Sequence, residues 1–187
     1  IIFFLIITFC SLNFEIYNNV LDSFHEGTFL TPSKNFQHTG GFWSTTYIEY
    51  GLFANFHPLL VWNIFSTESL GSARLFESIL LLSNKILLVF LCKKISENLN
   101  FDKESSLFYF VLLSIFSITL VSYSKITGIE AKHFLIILFL LNLFYSIQST
   151  KSFYKTNYLN GLFSAASMFW WIDIGVYINF LIFLLII

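Results

Sequence analysis

LGSARLFESILLLSNKILLVFL, residues 70–91, followed at once by Cys92-Lys93-Lys94, is the stretch on which the architecture turns. A spanning helix needs about 20 mostly apolar residues, because the hydrocarbon core is ~30 Å thick and a helix rises ~1.5 Å per residue. Residues 70–91 meet that length and end on a lysine pair, so they predict a membrane-crossing helix. Outward from it, residues of about 1–17, 107–124, 133–147 and 158–187 are comparably apolar. The first has no basic leader and no small-residue cleavage site before Asn18, so it reads as an uncleaved helix rather than a signal peptide. The last is interrupted by Asp173 and reads either as one tilted helix or as two half-length helices meeting near Asp173-Ile174-Gly175. The expected fold class is all-α: a polytopic α-helical membrane protein, a single transmembrane domain over 1–187.

Composition points the same way. Hydrophobic residues make up 56% of the chain and charged residues 11%, against roughly 25% charged in a soluble domain, and mean hydropathy is +0.74. The net charge of -1 says little, because in a membrane protein the placement of charge outweighs its sum. The chain opens on Ile-Ile-Phe-Phe and stops at Leu-Leu-Ile-Ile inside an apolar run, and is expected to be a fragment of something longer. The 25 phenylalanines, with Ile, Asn, Tyr and Lys also abundant, have a bland explanation in AT-rich coding and are not read as a ligand signal. Cys10 and Cys92 have no CxxC spacing and imply neither a disulfide framework nor a zinc site.

Lysine placement sets an expected orientation. Lys93, Lys94 and Lys103 follow the 70–91 helix and Lys151 and Lys155 follow the 133–147 helix, so both loops belong in the cytoplasm. The large loop of about 18–69 then lies outside, as does the short turn carrying Lys125, Glu130 and Lys132. All four histidines, His25, His38, His57 and His133, fall on or near that outer face. Within the loop, Gly40-Gly41-Phe42-Trp43 reads as a turn, because glycine reaches positive φ without steric cost. Pro32 and Pro58 punctuate either side, and segments such as 53–65 are too short to span and rich in Phe and Trp. They suit short helices lying in the membrane interface.

The loop also gathers the titratable groups. Asp22, His25 and Glu26 stand at i, i+3 and i+4, so on a continuing helix they share one face just above the membrane. A carboxylate held there takes a proton from a hydroxyl if partial burial raises its pKa toward the working pH; the bland alternative is a set of solvated loop charges. With His38 or His57 added, the same residues suit a divalent metal ion, although the spacing matches no compact metal motif. On the 70–91 helix, Arg74, Glu77 and Lys85 form a charged stripe. A charge at the bilayer centre costs roughly 2.5–3.5 kcal/mol, so these groups should face protein or a wet cavity. Arg74 near the outer end suits a phosphate; equally, it suits an internal ion pair with Glu77, with Lys85 paired to another helix. Asp173, beside Trp170 and Trp171, should pair with a cation such as Lys85 or mark a helix break. Glu130 and His133 face the same side as the outer loop.

The order of features resembles a known family. A first helix leads to Asp22-Ser-Phe-His25-Glu26-Gly27, then to Gly40-Gly41-Phe-Trp43, Glu49-Tyr50-Gly51 and Pro58, then to a helix opening Ser69-Leu-Gly71-Ser-Ala73-Arg74-Leu75 and closing Lys93-Lys94. Ser122-Tyr-Ser-Lys125 to Glu130, and Gly161-Leu-Phe-Ser-Ala-Ala to Asp173-Ile-Gly175, are similar in placement. This resembles the N-terminal part of the GT-C glycosyltransferases, which include protein mannosyltransferases and the aminoarabinose transferase of lipid A. The resemblance rests on spacing and topology over nearly the whole chain. It implies an enzyme that moves a sugar from a polyprenyl-phosphate lipid to a glycan, lipid or protein acceptor at the extracytoplasmic face of a bacterial inner membrane, with inversion. The catalytic base then falls on Asp22, with Glu26 the nearest alternative, and His25, Glu49, Arg74 and Glu130 line the substrate site. The expected partners are the bilayer, the sugar lipid and the acceptor, with no nucleic acid. Two other classes fit the residues: a transporter or channel segment in which Arg74, Glu77, Lys85 and Asp173 line a pathway, and a non-catalytic membrane assembly protein.

Overall fold

The computed structural model describes residues 2–10, 20, 26–39, 51–99, 102–120, 129–148 and 153–186. The side chains of 3, 10, 120, 129–131, 147–148, 153–157 and 185–186 are not part of that description. The helices are α1 (Ile2–Cys10), α2 (Gly27–Thr39), α3 (Leu52–Phe65), α4 (Leu70–Asn98), α5 (Lys103–Leu120), α6 (Ile129–Gln148), α7 (Phe153–Trp170) and α8 (Ile172–Ile186). No strand occurs among the described residues, so the fold is all-helical. Among the described residues one helix, α4, is long and apolar enough to cross a membrane; the other apolar helical stretches, Leu52–Phe65, Lys132–Ser146 and Ile172–Leu184, are shorter.

α4 starts where Ser69 caps it, its Oγ accepting from the Ser72 amide at 3.0 Å. It does not stop at Leu91 but runs to Asn98. Lysine is a good helix former, and Lys93 and Lys94 pair with Glu97 one turn on, at 3.6 and 3.0 Å. α5 opens on Asp102, whose carboxylate accepts from the Glu104 and Ser105 amides, both at 3.1 Å. The Ser105 hydroxyl and these amides hold the Asp102 carboxyl below the usual range.

α4 is the spine of the molecule. Leu80 belongs to a core with Phe29, Ala54, Leu135, Phe139, Trp171, Ile174 and Ile178; Val89 and Cys92 pack with Phe4, Phe110 and Ile118; Leu91 packs with Ile137 and Leu141. One helix thus contributes to all three clusters, against α2, α3, α6 and α8 at its head and α1, α5 and α6 further along.

The two loop prolines lie inside α2 and α3. Each removes an amide donor and frees the carbonyl four residues earlier, and a neighbouring side chain takes up each freed acceptor. Pro32 frees Thr28, whose carbonyl accepts from Asn55 Nδ2 at 3.2 Å. Pro58 frees Ala54, whose carbonyl lies 3.0 Å from His57 Nδ1. Beside Pro58, the fully buried Ser33 hydroxyl sits in the α3 backbone: it accepts from the Leu59 amide at 3.3 Å and donates to the Asn55 carbonyl at 3.0 Å. The segments expected as interfacial helices are therefore a hairpin joined by polar bonds at its two proline positions.

Of the stretch 158–187, the described residues 158–186 lie in two helices, with α7 beginning earlier, at Phe153, and the break at Trp171, two residues before Asp173. The Trp171 amide closes α7 on Ser167 at 3.0 Å and its carbonyl opens α8 on Gly175 at 2.8 Å. So tight a reversal needs a bare residue, and a Cβ on Gly175 would lie 2.6 Å from Met168 Sδ and 2.9 Å from Met168 Cα. Gly51, at φ 133°, likewise admits the Trp170 carbonyl, 3.1 Å from where its Cβ would be, which lets α3 abut the break.

The outer surface is strongly apolar. On α5, Leu107, Phe108, Leu112, Ile115 and Phe116 are exposed; on α8, Val176, Tyr177, Phe180, Phe183 and Leu184 are.

Candidate functional site

Charge is buried where the α2–α3 hairpin meets the head of α4. Glu26, Arg74, His57 and Glu77 are each 2–3% exposed. Glu26 precedes the first turn of α2 and accepts from Arg74 Nε at 2.9 Å and from Nη2 at 3.0 Å, a fork matched to both carboxylate oxygens. Arg74 Nη2 also donates to the Val20 carbonyl at 3.5 Å. His57 Nε2 lies 3.1 Å from Glu77 Oε1, an approach that forms no aligned hydrogen bond to that oxygen.

Chain geometry explains why these four meet. α3 and α4 are joined by residues 66–69, with Ser66 in the left-handed conformation at φ 53°. Trp62 Nε1 clamps the turn by donating to the Ser69 carbonyl at 3.0 Å. His57 and Glu77 stand a little over two helical turns on either side of that connection, and so are brought level. The imidazole lies near Phe53, Phe76 and Phe29, with centroids 5.8, 6.0 and 5.7 Å away. Trp170 stacks on Phe53 at 3.8 Å and 9°, which ties this aromatic cluster to α7.

Glu26, His57, Arg74 and Glu77 line a cavity of about 10 Å³, room for about one water molecule. Two larger openings flank α3. One, about 330 Å³, is lined by Leu30, Thr31, Lys34, Trp62, Glu68, Ser69 and Leu70. Its Lys34–Glu68 ion pair, assisted by Gln37, holds the exposed Glu68 carboxyl below its usual range. The other, about 400 Å³, is an apolar groove lined by Leu52, Phe53, Phe56, Leu59, Leu60, Ala166, Phe169 and Trp170.

Of the residues singled out in the sequence, the structure brings Glu26 and Arg74 together. Asp22, His25 and Glu49 lie outside the described residues, and Glu130 is described only in its backbone, at the start of α6. The ion pair expected between Arg74 and Glu77 is not formed. Arg74 reaches to α2 and Glu77 faces α3, because both point at the hairpin. Nor does Lys85 pair with Asp173. The α7–α8 break sets Asp173 in the exposed first turn of α8, where Lys132 of α6 donates to it at 2.8 Å while lying over the Trp171 ring. Lys85 and Asn84 are buried deeper along α4. His38 is exposed at the end of α2, and His133 near the start of α6.

The His57–Glu77 contact was not anticipated; the His57-Pro58 dipeptide signals only the local bond, since proline in a helix frees a carbonyl that the imidazole beside it serves. Among the described residues no group of three or more His, Cys, Asp or Glu side chains is arranged to hold a metal ion. No family model, no curated protein and no solved structure matches the chain.

Proposed function

We propose that this chain is a membrane-embedded glycosyltransferase of the GT-C type, which moves a sugar from a polyprenyl-phosphate lipid to an acceptor hydroxyl at the extracytoplasmic face of a bacterial inner membrane, with inversion. One observation carries the reading: the outer-loop helices pack over the head of α4 and set a carboxylate and an imidazole against Arg74 and Glu77. A loop that merely linked two spans would leave such groups in water. The outward apolar faces of α5 and α8 support further spans beside α4, since exposed surface that apolar suits lipid. The groove between α3 and α7, at about 400 Å³ and lined by aromatic and aliphatic side chains, has the size and character of a lipid-tail site.

In this reading the acceptor hydroxyl gives its proton to a carboxylate as it attacks the anomeric carbon, and the lipid phosphate leaves. Glu26 is held on both oxygens by Arg74, so the base role falls to Asp22. The described residues on either side of Asp22, Val20 and Glu26, both bond to Arg74. Arg74 supplies positive charge for the departing phosphate, and Glu26 orients it.

The test follows radiolabelled sugar from polyprenyl phosphate into acceptor in membranes carrying the full-length protein. Asp22→Asn is expected to abolish transfer with membrane insertion intact, and full activity in that variant overturns the assignment. A transport reading draws on Asn84 and Lys85, buried along α4 below Glu77. Under it, Lys85→Met alters flux in vesicles and Asp22→Asn does not.

A further inference from the structure

We propose that His57 and Glu77 form a buried proton-binding site: one proton, carried by the His57–Glu77 pair across their 3.1 Å approach, belongs to the folded molecule and seats α3 on α4. The inference stands apart from sugar transfer and holds whatever the chain acts on.

The argument starts from Pro58. Having no amide hydrogen, it leaves the Ala54 carbonyl without its helical donor. His57 Nδ1 lies 3.0 Å from that oxygen, and a carbonyl only accepts, so Nδ1 carries a hydrogen. Nε2 is then the position at which this ring gains or loses a proton. It lies 3.1 Å from Glu77 Oε1, with both side chains at most 4% exposed. Without a further proton, a carboxylate sits 3.1 Å from a neutral ring nitrogen in an environment that cannot solvate its charge. Burial of a charge in that state is costly.

One proton removes the conflict. On His57 it makes an imidazolium–carboxylate pair, which a 3.1 Å separation serves without hydrogen-bond alignment; on Glu77 it makes a neutral acid beside a neutral ring. Phe53 and Phe76 lie at 26° and 28° to the imidazole, and their π faces add attraction for the cationic form. The cavity beside the pair has room for about one water molecule, which can exchange a proton with it.

The other charges on the surrounding elements are already engaged: Glu26 at the head of α2 with Arg74 of α4, and Asp173 of α8 with Lys132 of α6. Lys85 lies two turns further along α4 and is buried there. While the proton is bound, the α3–α4 contact is intact. As pH rises and the proton leaves, the contact turns repulsive and its stabilisation is lost.

The experiment uses the full-length protein in nanodiscs with 15N-labelled histidine. The expected result is one histidine whose Nδ1 stays protonated throughout while its Nε2 titrates, with thermal stability falling over the same pH interval. In Glu77→Gln the amide donates its own N–H to a bare Nε2, so the contact persists without a proton and the step in stability against pH disappears. A step unchanged in Glu77→Gln overturns the proposal, as does a His57 Nε2 that is bare at every pH. If Glu77→Gln fails to fold, the wild-type titration alone decides between these outcomes.

Discussion

At the residue scale, the buried carboxylates and their partners carry the largest single consequences. Arg74→Ala leaves the Glu26 carboxylate buried at 2% exposure with its forked donor removed. Losing one member of a buried pair costs about 3–5 kcal/mol, so the variant's thermal unfolding in detergent should fall by that measure. Removing both charges, as in Glu26→Leu with Arg74→Met, should recover most of it; equal loss in the double variant would mean the pair is not the source. Arg74 and Glu77 were legible in the sequence as charges that an apolar helix must bury against something. Their partners were not, because Arg74–Glu77 spacing on one helix says nothing about a carboxylate on α2 or an imidazole on α3. Those contacts depend on how the hairpin docks, and no local pattern encodes that.

Among elements, the α7–α8 reversal is the most exacting. Gly175→Leu would place a side chain where Met168 Cα and N stand 2.9 and 3.0 Å from the first added carbon. Backbone cannot yield as a side-chain tip does, so the cost should be at least the 1–3 kcal/mol of core overpacking. Gly161→Ala in α7 is the control, since its Cβ meets nothing within 4 Å. It should be neutral or stabilising by up to about 1 kcal/mol. If both variants unfold alike, the hairpin is not packed as described. The sequence carried both the ambiguity of this stretch and the neighbourhood of its break, at the Trp170-Trp171 pair beside Asp173, but not the role of Gly175, because a bare glycine reads as a turn and here serves close approach inside a helix. The same limit applies to α4, whose apolar run stops at Leu91 while its backbone continues to Asn98 on lysine and glutamate. Hydropathy marks where a helix stops being greasy, and hydrogen bonding marks where it stops.

For the whole molecule, the distribution of apolar surface is the feature with most reach. A photoreactive lipid probe should label Phe108 and Phe116 of α5 and Tyr177 and Phe180 of α8, all more than half exposed, and leave Phe139, 1% exposed, unlabelled. Labelling that spared α5 and α8 would count against the proposal that they face lipid. The helical class and the central 70–91 segment were readable from composition and length, since both express how much apolar surface the chain must shield from water. How the pieces enclose one another was not, for that is set by contacts between residues distant in sequence. Those contacts also carry an order in time. During synthesis Glu26 and His57 leave the ribosome well before Arg74 and Glu77, so each buried pair is half made while α4 is still being translated. The α2–α3 hairpin can wait, because it serves its own proline-freed carbonyls through Asn55, His57 and Ser33. α4 then brings the partners of Glu26 and His57, and the later helices α6 to α8 complete the core around the hairpin.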